Sequence, residues 1–244
     1  MSDIIFGKYP VLEALKAQKD IEKIYTVATL RGELEITIRQ WCKENNVPLA
    51  KVPEIKMNEI CKSKVHQGVA AVISPITYQD IFKVLSDEEK EGKTPLLLIL
   101  DSVTDIRNIG AVARSALFFG ASALVITGNF AGRINEEAVK SSAGALLKIQ
   151  VCRYPSLLAL MASLQNKGVQ LIGTMLNASV EISEADFNMP TAFILGSEDK
   201  GLHYKVTENT DLNVKIHGAS DFDSINVSVA AGICLYECQR QRKK

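Results

Sequence analysis

Three polar turns in the carboxyl-terminal half carry the side chains best suited to chemistry. The first, Asp101 to Arg114, reads D-S-V-T-D-I-R-N-I-G-A-V-A-R; the second, Gly196 to Gly201, reads G-S-E-D-K-G; the third, Ile216 to Asn226, reads I-H-G-A-S-D-F-D-S-I-N. In the first, Asn108 is expected to open a helix, and Arg114 follows about two turns later among Ala111, Val112, Ala113, Ala116 and Leu117. A guanidinium left unpaired in such surroundings is costly, so a carboxylate partner or a bound phosphate is expected. In the second, Glu198 stands between two glycines. In the third, Ser224 reads as the N-cap of a helix running to about Gln239, and Ser224, Asn226 and Ser228 make a polar first turn. Free backbone N–H groups and the positive dipole end can receive a ligand there. Plain capping explains Ser224 as well as a ligand site does, and explains Asn108, taken alone, better. No G-x-x-x-x-G-K-S/T and no G-x-G-x-x-G occurs, which argues against nucleotide hydrolysis and dinucleotide binding.

These turns need strands to hold them. Pro95 to Asp101 (P-L-L-L-I-L-D) is a near-continuous apolar run ending in a carboxylate, as expected of a strand buried on both faces of a parallel sheet. Strand and helix then alternate: a helix at Ile109–Phe119, strand Ala123–Thr127, helix Glu136–Ser142, strand Leu147–Val151, helix Ser156–Asn166 and strand Val169–Thr174. Ala192–Leu195 and Leu212–Ile216 add two more strands, halted by Gly196 and Gly218. The pattern predicts a doubly covered α/β domain over 95–244, with ligands beyond the carboxyl ends of its strands. The last helix has no wide polar face before Arg240, since Val227, Val229, Ala230, Ala231, Ile233, Leu235 and Tyr236 surround it; it is expected to be covered on more than one side.

Upstream, residues 1–76 read as a separate small α/β unit. Helices are expected at Val11–Lys16, Glu33–Glu44 and Lys56–Cys61, and strands at Ile21–Ala28, Pro48–Val52 and Gly68–Ile73. Residues 77–94, with the charge run D-E-E-K-E-G-K, read as a linker.

Composition sets the outer limits. The chain has 244 residues, 47% hydrophobic, with 28 basic and 28 acidic side chains, so net charge alone does not announce a nucleic-acid partner. A local basic face matters more than the total, and Lys8, Arg31, Lys51, Lys62 and Lys64 either form one that captures nucleic acid or are scattered solubilising charge. Five cysteines without a C-x-x-C pair, and three histidines, point to reduced, buried thiols and to no metal site. The absence of a basic n-region followed by an apolar segment, and of an apolar run near ~18 residues, makes a cytoplasmic protein the expectation.

Taken together and in order, D-S-V-T-D-I-R-N-I-G-A-V-A-R-S-A, I-L-G-S-E-D-K-G-L and S-I-N-V-S-V-A-A-G-I-C-L-Y-E resemble the three motifs of the SpoU (TrmH-type) RNA ribose methyltransferases. H-Q-G-V-A-A at His66–Ala71 and F-G-K-Y-P-V-L-E-A-L at Phe6–Leu15 resemble the substrate-binding domain that these enzymes often carry. The resemblance implies a deep trefoil knot in the carboxyl-terminal domain and a homodimer packed through its last helix. It also implies S-adenosylmethionine held near Thr174, Gly196, Ile216 and Ile225, and catalysis by Arg114 with Asn108, Glu198, Ser224 and Asn226. The implied substrate is RNA, with a guanosine ribose of large-subunit ribosomal RNA favoured; methylation of transfer RNA, or RNA binding without catalysis, are the alternatives. Where the family usually has Asp-Pro, this chain has Asp105-Ile106-Arg107; His217 stands where proline is common and Asp199 where glycine is common.

Overall fold

The structure is a computed structural model and describes residues 4–128, 132–197, 201–219 and 225–243. It divides into two compact units, with the main boundary between Thr77 and Tyr78.

The first unit contains β1 (Ile4–Phe6), α1 (Lys8–Lys16), β2 (Ile21–Val27), α2 (Glu33–Glu44), β3 (Leu49–Val52), α3 (Glu54–Cys61) and β4 (Val69–Ile73). Its four strands lie in the order β1-β4-β2-β3, with β4 antiparallel to both neighbours and β3 parallel to β2. Alternation along β2 sends Ile24 into a core with Val11, Leu15, Ile38 and Val69, while Val27 joins Met57 and Ala70 on the other side. The three-residue β1 is too short to show a period in the sequence; it forms because β4 offers it a ladder. Gly7, at φ 97°, turns the chain from β1 directly into α1, a conformation other residues adopt at a cost.

In the second unit α4 (Ile81–Lys90), β5 (Leu96–Asp101), α5 (Ile106–Phe118), β6 (Ala123–Thr127), α6 (Glu136–Ser141), β7 (Val151–Tyr154), α7 (Leu157–Gln165) and β8 (Gln170–Thr174) come first. They are followed by β9 (Val180–Glu181), β10 (Thr191–Leu195), α8 (Tyr204–Thr207), β11 (Leu212–Lys215) and α9 (Val227–Arg242). The seven strands run in the order β7-β6-β5-β10-β8-β11-β9, and each pairing is parallel. β10, late in the chain, lies between β5 and β8, and both β5 and β10 are buried along their apolar lengths. Leu97, Ile99 and Ile194 face one core with Leu160, Met161 and Leu164 of α7; alternation turns Leu98, Leu100 and Phe193 to the opposite face. There α9 lies along α5 and against β10.

Several sequence expectations change. The stretch 77–94 is not a bare linker: α4 is capped by Asp80, which accepts from the Phe82 N–H, and Ile81 and Leu85 join the core of the second unit. The strand expected at Leu147–Val151 begins at Val151, because Ala145–Leu147 form a 3-10 turn after Gly144 and Leu147 is exposed. A short apolar run does not by itself separate these outcomes. α9 extends to Arg242 rather than ending near Gln239. Arg242 is held there by carbonyls: its Nε donates to Phe187 at 2.8 Å, Nη1 to Thr94 at 2.8 Å and Nη2 to Met189 at 2.6 Å. These three bonds explain how a charged residue ends a docked helix.

Among the described residues no helix is long and apolar enough to cross a membrane. All five cysteines are unpaired and buried. Burial pushes the Cys42 and Cys238 thiols up to about 11 and those of Cys152 and Cys234 to about 12. The native protein is therefore expected to react negligibly with a thiol-specific chromogenic reagent at pH 7 and to release all five thiols when unfolded. Because the folded-state values are raised, this contribution to stability is intact below about pH 9, where unfolded thiols begin to ionise, and declines above it. Urea unfolding at pH 7 and pH 10 checks the sign.

Candidate active site

Because β5, β6, β8, β10 and β11 are parallel, their carboxyl ends share one edge of the sheet, and the three polar turns leave from that edge. The first turn begins under constraint. Ser102 has a positive φ of 57°, and Gly128, at the end of β6, approaches it so closely that a Cβ there would lie 2.6 Å from the Ser102 hydroxyl. The turn then enters α5 through Asp105, whose carboxylate accepts from the Arg107 N–H at 2.8 Å. Arg107 also grips that carboxylate through Nε at 3.1 Å and Nη2 at 2.9 Å. These bonds from Arg107 hold the Asp105 carboxyl below its usual range.

Asn108 is therefore not the cap of α5 but the third residue inside it, because Asp105 already fills the capping role. Its side chain instead reaches a distant helix, where the Asn108 Oδ1 accepts from the Asn226 Nδ2 at 3.1 Å, across 118 residues of chain. Asn226 in turn caps α9, its Oδ1 accepting from the Ser228 N–H at 2.8 Å and from the Ser228 hydroxyl at 2.5 Å. The N-cap expected at Ser224 thus falls to Asn226, since the helix starts at Val227. Ser224 and Glu198 lie outside the described residues.

The second turn closes on itself. Ser197 and Gly201 form an antiparallel bridge, with the Gly201 N–H donating to the Ser197 carbonyl at 2.8 Å. A Cβ on Gly196 would meet the Gly201 carbonyl carbon at 2.2 Å, so glycine is required by the close approach of backbone to backbone. Beside it, the Thr174 hydroxyl donates to the Ile194 carbonyl at 3.2 Å and ties the end of β8 to β10. Ile216 continues from β11, and Ile225 is exposed immediately before the Asn226 cap. His217 Nδ1 is 3.6 Å from the Glu181 carboxylate, with the histidine largely in solvent.

Arg114 departs from expectation. It is exposed, and no hydrogen bond or ion pair ties it to another described residue. Of the apolar neighbours that suggested a buried guanidinium, Val112, Ala113 and Ala116 are buried on the far side of α5 with Ile109, while Leu117 is exposed. Arg107, Arg114 and Phe118 share the outward stripe at seven- and four-residue spacing. The structure thus joins Asn108 to Asn226, and Thr174 to the strand ending at Gly196, and leaves Arg114 unpartnered among the described residues. The Asp105–Arg107 pair escaped the sequence reading although an acidic residue just before a helix is a capping signal; the Ser102–Gly128 approach has no sequence signature.

Residues 95–236 match the SpoU rRNA methylase family model, and residues 4–79 match the model described as RNA 2'-O ribose methyltransferase substrate binding. The chain belongs to the SpoU family of RNA methyltransferases. Among its SpoU-type relatives is a Bacillus subtilis chain described as a TrmH family tRNA/rRNA methyltransferase, 31% identical over 98% of this chain and 96% of that one. A tRNA/rRNA methyltransferase of Synechocystis, itself uncharacterized, is 31% identical over 98% of this chain, which spans 63% of that relative's length. The SpoU methyltransferase AviRb from Streptomyces viridochromogenes, in complex with the cofactor AdoMet, superposes with a TM-score of 0.62 at 24% identity over 98% of this chain and 90% of that one. An AdoMet-bound rRNA methyltransferase from Sinorhizobium meliloti gives 0.61 at 21% identity, over 99% and 88%. The SpoU fold is therefore shared along nearly the whole chain.

Asn226→Ala removes both the cap and the tie to Asn108, and is expected to lower stability by about 1 kcal/mol. Asn226→Asp keeps a good cap but loses the Nδ2 donor, so urea unfolding should find it near the parent while the methyl-transfer rate falls. A parent-like transfer rate in Asn226→Asp would assign the residue to capping alone.

Proposed function

We propose that the protein transfers the methyl group of S-adenosylmethionine to a ribose 2'-hydroxyl of RNA, with a guanosine of large-subunit ribosomal RNA as the favoured target. The observation that carries this reading is the Asn108–Asn226 hydrogen bond, which brings two of the three family motifs to the strand edge that also bears the Gly196 turn. The residues are compatible with the cofactor: the Gly196 turn closes tightly on the Gly201 backbone, and Thr174, tied to the Ile194 carbonyl, stands at the adjoining strand end. Thr174, Gly196, Ile216 and Ile225 would hold it. When bound, it supplies an electrophilic methyl on a sulfonium centre.

The protein itself must make a weak nucleophile effective. A ribose hydroxyl at neutral pH needs in-line positioning and stabilisation of the negative charge that grows as its proton leaves. Arg114, exposed and without a carboxylate among the described residues, has a guanidinium available for the neighbouring phosphate and the developing alkoxide. It scarcely loses its own proton in proteins, so it stabilises charge rather than acting as a base. Asn108 and Asn226 hold the first turns of α5 and α9 in register. Glu198 and Ser224 are assigned orienting roles by the family resemblance.

Within one chain, α9 is buried on a single side, through Val227, Ala231, Cys234, Leu235 and Cys238. Its other side leaves Val229 and Tyr236 exposed; the Tyr236 ring meets Phe119, and Phe119 meets Phe118, which is 81% exposed. An apolar surface of this kind favours a second copy of the chain packed through α5 and α9, with Arg114 on the same stripe. We take the segment after Gly196 to thread an earlier loop as a trefoil knot; the insertion of β10 between β5 and β8 supports this. An RNA substrate of this kind fits a cytoplasmic location.

With S-adenosylmethionine labelled in its methyl group and ribosomal RNA as substrate, Arg114→Ala is expected to lower turnover by roughly 100-fold or more without loss of cofactor affinity by calorimetry. Near-normal turnover would reject its role. Nuclease digestion of the product distinguishes a ribose methyl from a base methyl, and a base methyl would overturn the reaction assigned. Phe118→Glu combined with Tyr236→Glu is expected to halve the mass measured by light scattering; an unchanged mass would place the interface elsewhere.

A further inference from the structure

In the first unit, four loops end at the same edge of the sheet. β1 and β4 are antiparallel, and the Gly7 N–H donates to the Val69 carbonyl at 3.0 Å; the Lys8 N–H donates to the Gln67 side-chain oxygen at 2.8 Å. Across β2, the Val27 N–H donates to the Gly68 carbonyl at 2.9 Å and the Ala28 N–H to the Val52 carbonyl at 3.0 Å. The start of α1, the loop after β2, the start of α3 and the loop from Lys62 to Gly68 therefore form one rim.

Some cations of this unit are paired with carboxylates, whereas among the described residues four on this rim are not, as is also true of Lys19 and Lys43 away from it. Lys16, Arg39, Lys51 and Lys56 each meet a glutamate. Lys8, Arg31, Lys62 and Lys64 are exposed and meet no carboxylate among the described residues; the Arg31 guanidinium is propped on the Ala28 and Leu30 carbonyls at 2.7 and 2.8 Å. Glu33 and Glu54 start helices at this end without pairing with them. Tyr9 is 70% exposed with the Lys8 ammonium 5.8 Å from its ring centre, and Val65 and Ile55 are exposed nearby in the chain. Lys62 and Gln67 both adopt left-handed backbone, at φ 48° and 49°, a strain that fixes the loop's shape. Four like charges held together on a shaped rim are favourable when a polyanion covers them.

We propose that this rim is the RNA-docking face of the first unit, with Lys8, Arg31, Lys62 and Lys64 taking phosphates and Tyr9 stacking an unpaired base. The proposal rests on the RNA reading given above, and it removes Lys51 from the set expected to capture RNA, because its ammonium is 3.1 Å from Glu35. Cations along a backbone track with an aromatic platform are how unpaired nucleotides in structured RNA are gripped.

The test uses the full chain and protein-free large-subunit ribosomal RNA, with bulk transfer RNA as a second probe, followed by fluorescence anisotropy over a range of salt. Lys8→Ala, Lys62→Ala and Lys64→Ala combined are expected to weaken binding about tenfold or more, and to make the salt slope shallower by about 0.7 to 0.9 per cation removed. Tyr9→Ala should weaken binding about fivefold or more with its slope unchanged. Lys19→Ala with Lys43→Ala, at the opposite end of the sheet, should change neither. Unchanged affinity in the triple variant, or equal loss in the opposite-end pair, would overturn the assignment. Cofactor affinity by calorimetry separates the two readings. Loss of RNA binding on mutating the rim, in a chain that binds no S-adenosylmethionine, would leave the rim standing and remove the methyl transfer. Cofactor binding without RNA binding by the parent would remove the rim.

Discussion

The structure depends most on one constraint: backbone amides at the entrances of α5 and α9 must be satisfied while the two helices lie together at the edge of a parallel sheet. Asp105 satisfies the first and Asn226 the second, and the Asn226 side-chain Nδ2 then donates to the Asn108 side-chain oxygen. A helix entrance left without partners would cost free energy. The capping groups therefore stabilise two helices and, in the same contacts, fix the relative position of residues 118 apart in sequence.

The division of labour across the second unit follows from the sheet. Strands buried on both faces have no freedom to shift register without moving apolar residues out of contact. That rigidity passes to the turns at their carboxyl ends, where Gly196 and Gly128 let backbone approach backbone or a serine at distances no side chain would permit. The polar turns can then carry irregular conformations, such as the positive φ at Ser102, because the strands beneath them are fixed.

Much of this was legible in the residues. The apolar run Leu96–Leu100, the Ala123–Thr127 strand and the Glu33–Glu44 helix announced themselves by period and by bounding residues. What escaped was decided by distant partners. β1 exists because β4 accepts it, and α9 reaches Arg242 because carbonyls of Thr94, Phe187 and Met189 receive its guanidinium. Local propensity contains neither. Arg114 is the instructive case at the site: Val112, Ala113 and Ala116 are close to it in sequence, yet the helix presents them to the core and the arginine to solvent, so sequence proximity misjudged its surroundings.

The position of β10 between two strands formed by much earlier residues, and of α9 against α5, also governs how the unit can assemble. Closing loops of this length carries an entropic cost that is recovered only when the final contacts form. Until the last helix docks, the apolar side of α5 that it covers stands open to water. Acquisition of the native state should accordingly be slow, with a partly assembled species prone to self-association along that uncovered helix.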